Sequence, residues 1–282
     1  MNVKVTYTGS SGNTYDLKVK ERLRLKKANF HKYSWAMDTT KQQYGVTVDA
    51  FRRDSITYDA SLIFTGSYEE NKELLEALHA DFERDILTEK PGILTWGDCS
   101  IRTFVTASST YPNDKDDTQN DVSFFCPEPF WLQEKSITIL PYTPTVLDTD
   151  KQYSYQYPYS YASSQDRVVH FNTGHYAESD FKMIAYGPFS ELNVEINDDL
   201  KRVVYAVSAG EYMVVDSRMN GQYKGQAYVV KADGTVVNVF DYRAPGYQLF
   251  KKASSGIINI DYSRTHGIDF TVFLKRSEPI WS

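Results

Sequence analysis

The chain has 282 residues, of which 41% are hydrophobic and 15% aromatic, with 22 Tyr and 15 Phe. Its formal net charge of −6 argues against nucleic-acid binding, which needs Lys and Arg to neutralise phosphates, yet is too small to point to disorder. Cys99 and Cys126 are the two cysteines, so there is no disulfide framework to read and two reduced thiols are expected.

The length fits one to two domains, each able to bury its own core. Tyr, Phe, Val, Ile and Thr favour pleated, half-buried strands, so the composition points to β structure. Met1–Val5 alternates like a strand and lacks the apolar run of a signal peptide. No stretch approaches the ~20 apolar residues of a spanning helix. The expectation is a protein made in a cytoplasm, not inserted in a membrane, that leaves only within a larger particle.

In chain order, Val3, Val5 and Tyr7 alternate with Lys4 and Thr6, and after Gly9-Ser10-Ser11-Gly12-Asn13 the alternation resumes at Tyr15, Leu17 and Val19. Period two across a Gly/Ser/Asn connection predicts a hairpin. Residues 21–45, with scattered charge and Trp35, read as a loop with an edge strand. Ile56, Tyr58, Ala60, Leu62 and Phe64 then share one face of a strand. The period changes at Ser67-Tyr68-Glu69-Glu70, a capping-box pattern. Leu74, Leu75, Leu78, Phe82 and Ile86 follow at helical spacing, and Pro91-Gly92 stops the segment. A helix over 67–90 is expected, lying on a sheet. Ile93–Trp96 turns at Gly97-Asp98 into Cys99–Val105. The span Tyr111–Asp121 reads as an exposed polar loop, Val122–Cys126 as a last strand, and Pro127-Glu128-Pro129 as the break.

That break sets a boundary near residue 135, giving domains 1–135 and 136–282. The second half opens with Ser136–Leu140 and a Tyr-rich run at Tyr153, Tyr155, Tyr157, Tyr159 and Tyr161. From Val168 the chain reads as short strands without a helix, the pattern of a sandwich. Its clearest turns are Asn172-Thr173-Gly174 and Asp233-Gly234. The fold class expected is mainly β, with a sandwich-like first domain carrying one helix and a second β-sandwich domain.

No motif for chemistry emerges. His170 and His175 flank the Asn172 turn, where Glu178 or Asp180 could add a ligand, but a metal site wants three or four at diagnostic spacing. Asp114-Lys115-Asp116-Asp117 lacks the glycine and distal glutamate of an EF-hand. Glu191 with Glu195 or Asp198 could be named as a glycosidase pair, though nothing selects that pair over others. Neither cysteine has a nucleophile's histidine context. No catalytic, cofactor-binding or metal-binding residue is assigned, no cofactor is expected, and the chain reads as non-enzymatic.

The order of elements carries a resemblance. Tyr58-Asp59-Ala60-Ser61-Leu62-Ile63-Phe64 is followed by Glu69–Leu75, Leu87-Thr88-Glu89-Lys90-Pro91-Gly92-Ile93-Leu94 and the strand ending Phe104–Ala107. Phe171-Asn172-Thr173-Gly174-His175-Tyr176, Ile184-Ala185-Tyr186-Gly187-Pro188, Gly210–Asp216 and Phe270–Arg276 continue it. Across nearly its whole length the chain resembles the distal tail proteins (Dit) of siphophages, departing at Phe189-Ser190-Glu191-Leu192, where a further proline is expected. The resemblance implies a homo-hexameric ring at the tail tip. The first domain would build the ring and its channel, through which DNA passes without specific binding. A galectin-like second domain would sit at the periphery. The implied partners are the major tail tube protein, the tail-associated hub or lysin protein and receptor-binding proteins, and the implied location is the virion. The alternative is a carbohydrate-binding β-sandwich module of an adhesion device or of a cell-wall glycoside hydrolase, resting on the tyrosine run.

Overall fold

The computed structural model describes residues 3–17, 22–112, 117–142, 168–220 and 223–280. The chain divides into two compact units, Met1–Gln133 with Lys275–Ser282, and Glu134–Leu274. The residues after 274 thus group with the first unit, whereas the break at Pro127-Glu128-Pro129 places them in the second domain. Val19 and the tyrosine run at 153–161 lie outside the described residues.

In the first unit, β1 (Val5–Thr8) pairs with β2 (Thr14–Asp16) in the expected hairpin. Strand β3 (Leu23–Ala28) is an edge strand on β6 (Ile56–Phe64). The ribbon β4 (Ala36–Lys41) and β5 (Val46–Arg52) pairs only with itself. Strand β7 (Gly92–Trp96) joins β1 to β8 (Cys99–Pro112), and β9 (Thr118–Cys126) lies between β8 and β6. Thus β8 serves two sheets. Its first half pairs with β7, its second with β9, and a bulge between Val105 and Ala107 supplies the local bend that such a corner needs.

Helix α1 spans Tyr68–Leu87. The Glu70 carboxylate accepts the Ser67 backbone N–H at 2.8 Å, as the sequence pattern predicts. The helix ends three residues short of Lys90, because Glu89 turns left-handed at φ 55° and Lys90 N–H returns to the Asp85 carbonyl. Leu75, Leu78 and Phe82 join Val5, Tyr7, Tyr58, Phe64, Phe124 and Trp131 in one core. Ile86 does not belong to this stripe and is 45% exposed. The buried face instead turns onto Asn71, Asp81 and Asp85. Tyr7 OH and Ser10 N–H donate to Asp85, and Tyr15 OH and Asn13 Nδ2 donate to Asp81. Burying these carboxylates is tolerable because each is hydrogen-bonded.

One further expectation fails here. Of the span Tyr111–Asp121 read as a loop, Tyr111 and Pro112 close β8 and Thr118–Asp121 open β9. Thr118, Gln119 and Asn120 are buried, with Asn120 Nδ2 donating to Ser108 and Thr110 and Gln119 Nε2 to Tyr111 and Asp121. Within 21–45, β3 is the edge strand expected there, and β4 is a second strand beyond that expectation.

In the second unit, β12 (Asp180–Tyr186), β15 (Tyr212–Asn220), β16 (Tyr223–Val230), β17 (Val236–Asn238) and β19 (Ile268–Arg276) run in the order β17-β16-β15-β12-β19, with β10 (Trp131–Ile139) beside β19. Facing them is a four-stranded sheet of β11 (Val168–Asn172), β18 (Ile257–Asp261), β13 (Leu192–Ile196) and β14 (Asp199–Val203), ordered β11-β18-β13-β14. Phe181, Met183, Met213, Val215 and Phe270 meet Leu192, Val194, Ile258 and Ile260 between the layers. This is the β-sandwich the alternation predicts. Asp233-Gly234 makes the expected hairpin of β16 and β17. Asn172–Gly174 does not make one, since β11 pairs with β18 instead of β12. The one helical element described here is a 3-10 turn at Phe240–Tyr242.

Candidate assembly surface

The first unit presents an unusual feature, the β4–β5 ribbon. Val46-Thr47-Val48 is β-branched and strand-prone, and Gly45 at φ 82° makes the reversal that lets Gln42 N–H reach the Gly45 carbonyl at 3.1 Å. Thr40 donates to Asp49 at 2.6 Å, and Arg52 reaches Asp38 at 3.0 Å. Every residue of β5 and all of β4 after Ala36 is exposed. The ribbon therefore shows Met37, Val46, Val48 and Phe51 to solvent, with Tyr44 at its tip 88% exposed.

An isolated two-stranded ribbon is marginal in water, and both its edges offer unpaired backbone groups. What fixes this one is its root. The Arg53 guanidinium lies 5.8 Å from the Tyr33 ring, 5.4 Å from Trp35 and 4.7 Å from Phe130, and its nitrogens are buried. Trp35 also packs edge-on against Phe130. A cation boxed by aromatic faces holds the ribbon against the body of the unit while its apolar side chains stay uncovered. Contiguous exposed apolar surface of this kind marks an interaction site.

The outer face of β3, β6, β9 and β8 is different in character. Asp59, Ser61, Asp121, Ser123 and Ser109 line a shallow hollow of about 480 Å³ beside Lys27. Ser123 donates to Asp59 at 2.8 Å, and Tyr111 OH and Gln119 donate to Asp121 at 2.6 and 2.9 Å. The Tyr111 hydrogen bond holds the Asp121 carboxyl below its ordinary range, and Lys26, donating to Gln119 at 3.1 Å, and Lys27 set cations beside the carboxylates.

The residues weighed for chemistry are dispersed. His170 is exposed on β11 and pairs with Asn259 at 2.7 Å, while His175 is buried against the Tyr176 ring. Since β11 does not pair with β12, the two histidines do not face each other across a hairpin. Among the described residues no group of three or more His, Cys, Asp or Glu could hold a metal ion. Glu191 is ion-paired with Arg202 at 2.9 Å. Asp198 sits in the tight β13–β14 turn at φ 66°. Cys99 and Cys126 are free and buried, and burial pushes the Cys126 thiol up to about 12. Asp114 and Asp116 lie outside the described residues, and Asp117 is paired with Arg24 at 3.2 Å.

The ribbon had no period-two signal to find. Alternation arises when one face of a strand is buried, and here neither is. The available signs were local: β-branched Val46–Val48 after a glycine, and aromatic Tyr33 and Trp35 just before a mixed Thr stretch.

No family model matches the sequence, and no curated protein matches it. Solved structures do. A crystal structure of the SPP1 Dit protein (gp 19.1), described as a paradigm of hub adsorption apparatus in phages infecting Gram-positive hosts, matches with a TM-score of 0.62 at 10% identity, over 96% of this chain and 99% of that one. A chain of the phage P2 baseplate in its activated conformation with Ca matches with a TM-score of 0.64 at 14% identity, over 99% and 100%. The same baseplate with Sr gives 0.64 at 13% identity. From one end to the other, this chain has the fold of the SPP1 Dit protein and of a phage P2 baseplate chain.

Proposed function

We propose that the chain is a structural, non-enzymatic component of a phage tail tip, a Dit-type subunit whose copies close into a six-membered ring. The observation that carries this reading is the two-way, full-length match in fold to the SPP1 and P2 chains. A ring needs heterologous contacts, with two different complementary surfaces on each subunit. The β4–β5 ribbon supplies one such surface, and the free edge of β3 is available on the same unit. In this reading the first unit builds the ring, with the tail tube protein on one side and the tail-associated hub protein on the other. The second unit carries receptor-binding proteins, and the virion is the working location after synthesis in a bacterial cytoplasm. DNA passes through without a specific grip, consistent with a subunit charge of −6.

The test is the mass of the purified chain by light scattering, with Val48→Asp plus Phe51→Asp as the comparison. The wild type should reach a six-copy mass as concentration rises. The double variant should stay monomeric with unchanged circular dichroism, because both altered side chains are exposed on the ribbon and outside the core of the unit. A wild type that stays monomeric at its highest soluble concentration, or stops at a dimer, refutes the ring. Assembly indifferent to the double variant refutes the ribbon's part in it.

A further inference from the structure

His266 lies in the connection between β18 and β19 in the second unit and is only 5% exposed. Its ring stacks on Phe189 with centroids 4.5 Å apart and leans on Tyr262 at 5.3 Å. Nδ1 is 3.2 Å from Thr265 Oγ1. Nε2 is buried and finds no partner among the described residues. The connection is tied down at three points: Tyr262 OH donates to the His266 carbonyl at 3.0 Å, Tyr142 N–H to the Arg264 carbonyl at 2.8 Å, and Tyr186 N–H to the Gly267 carbonyl at 3.0 Å. Phe189 is itself fixed by paired backbone bonds to Val207. Thr265 and His266 of the connection line an open hollow of about 380 Å³ together with Leu140, Pro141, Pro188 and Asp269.

Among the described residues, the charged and titratable groups around the imidazole offer it no counter-ion. Asp269 on β19 lines the same hollow, but its oxygens already accept the Thr138 and Tyr186 hydroxyls at 2.7 and 2.6 Å. Glu191, in the segment bearing Phe189, is paired with Arg202. Glu211, beyond the Val207 segment, holds Ser208 N–H and Lys231. Arg264, in the same connection, carries the same sign as an imidazolium and is no counter-ion to it. An imidazolium at this place would have to be desolvated without a partner, which is the costly case for a buried charge.

We propose that His266 is the plug of an acid-operated latch: protonation drives its ring out from between Phe189 and Tyr262, freeing the Ser263–Gly267 connection and widening the hollow that it helps to line. No covalent step is involved. The proton comes from solvent and stays on Nε2, the atom left without a bond. Burial holds the imidazole below its ordinary range in the closed form, whereas in the open form it returns toward about 6.5. Acid therefore favours opening. The inference does not rest on the ring assignment.

The experiment is amide exchange on the full chain at pH 7.5 and 5.5, corrected for intrinsic rates and read by mass spectrometry. One unit below the free imidazole value, protonation can enhance opening by up to about tenfold. A rise of that order is expected in peptides covering 262–267 and 187–190, with the core strands β13 and β18 unchanged. His266→Phe, which keeps a flat ring and removes the base, should abolish the rise. Equal exchange at both pH values, or the same rise in the Phe variant, overturns the latch. Should that variant fail to fold, the wild-type His266 imidazole can be titrated by NMR. A midpoint depressed and coincident with loop exchange supports the latch, and titration in the ordinary range with the loop closed overturns it.

Discussion

Replacing Arg53 with Ala is the sharpest test of how the β4–β5 ribbon is held. The side chain contributes three ring contacts at 4.7 to 5.8 Å. Such contacts are worth about 0.5–1 kcal/mol each in exposed settings and about 2 kcal/mol when desolvated. With the guanidinium nitrogens buried and three rings sharing one cation, about 2–4 kcal/mol is a reasonable total. At 1.4 kcal/mol per tenfold, the detached ribbon should gain population by roughly 30- to several-hundred-fold. Native-state amide exchange reads this directly. The cross-strand amides of residues 36–52 should lose protection by that factor, while those of β6 and β9 change by less than about threefold. Arg53→Lys keeps the charge but loses the planar stack, and should fall between wild type and Ala. Unchanged ribbon protection would refute the anchoring role. Equal loss across the ribbon and the β6–β9 sheet would show that Arg53 supports the whole unit instead.

Three further outcomes follow from buried features. Gly92 has no room for a side chain, since a Cβ there would lie 2.5 Å from Tyr7 Oη and 2.6 Å from Asp85 Oδ2. Gly92→Ala should cost about 2–4 kcal/mol in urea unfolding, by overpacking plus damage to a charge-assisted bond, and a neutral result would show that this pair yields easily. Phe82, 4% exposed in the core of the first unit, should tolerate Asp badly. Loss of a buried aromatic and burial of an unpaired carboxylate add to about 4–6 kcal/mol, enough that the variant is expected in inclusion bodies or with a collapsed melting transition. Lys201 is 1% exposed, donates to the Gln248 and Lys251 carbonyls, and is brought down by burial to about 8. Between pH 8 and the unfolded value the unfolded chain binds the extra proton, so this residue makes stability rise with pH in that window. From pH 8 to 9.5 the rise should be about 2 kcal/mol relative to Lys201→Met, and parallel profiles for the two proteins would refute the shift.

The sequence disclosed those parts of the fold in which one side of an element is buried and the other wet. Tyr58, Ala60 and Leu62 alternate because β6 has a core face, and Leu75, Leu78 and Phe82 repeat because α1 lies on that same core. The same logic explains the failures. The ribbon has no inner face and so no period. Gln119 and Asn120 look like loop residues because their burial depends on partners such as Ser108, Thr110 and Tyr111, which only the folded register brings near. Asp81 and Asp85 occupy core positions for a related reason, meeting the β1–β2 loop more than 60 residues away. His266 was invisible as a candidate because its context, Phe189 on one side and Tyr262 on the other, is assembled from distant segments. The Asn172 turn was misread because a turn signal fixes a change of direction and says nothing about which strand comes alongside.

The return of Lys275–Ser282 to the first unit makes the second unit an insertion within the first. Arg276 Nε donates to the Gln133 Oε1 at 3.1 Å, so the outgoing and incoming strands meet where the insertion begins and ends. Ribosomes deliver the chain from its amino end, so residues 1–133 are made before everything from Glu134 to Leu274, and the segment from Lys275 that folds with them comes last. Excising the first unit therefore calls for joining Lys275 onward to residue 133 with a short linker. The first unit of a chain is complete only once its second unit has also been made.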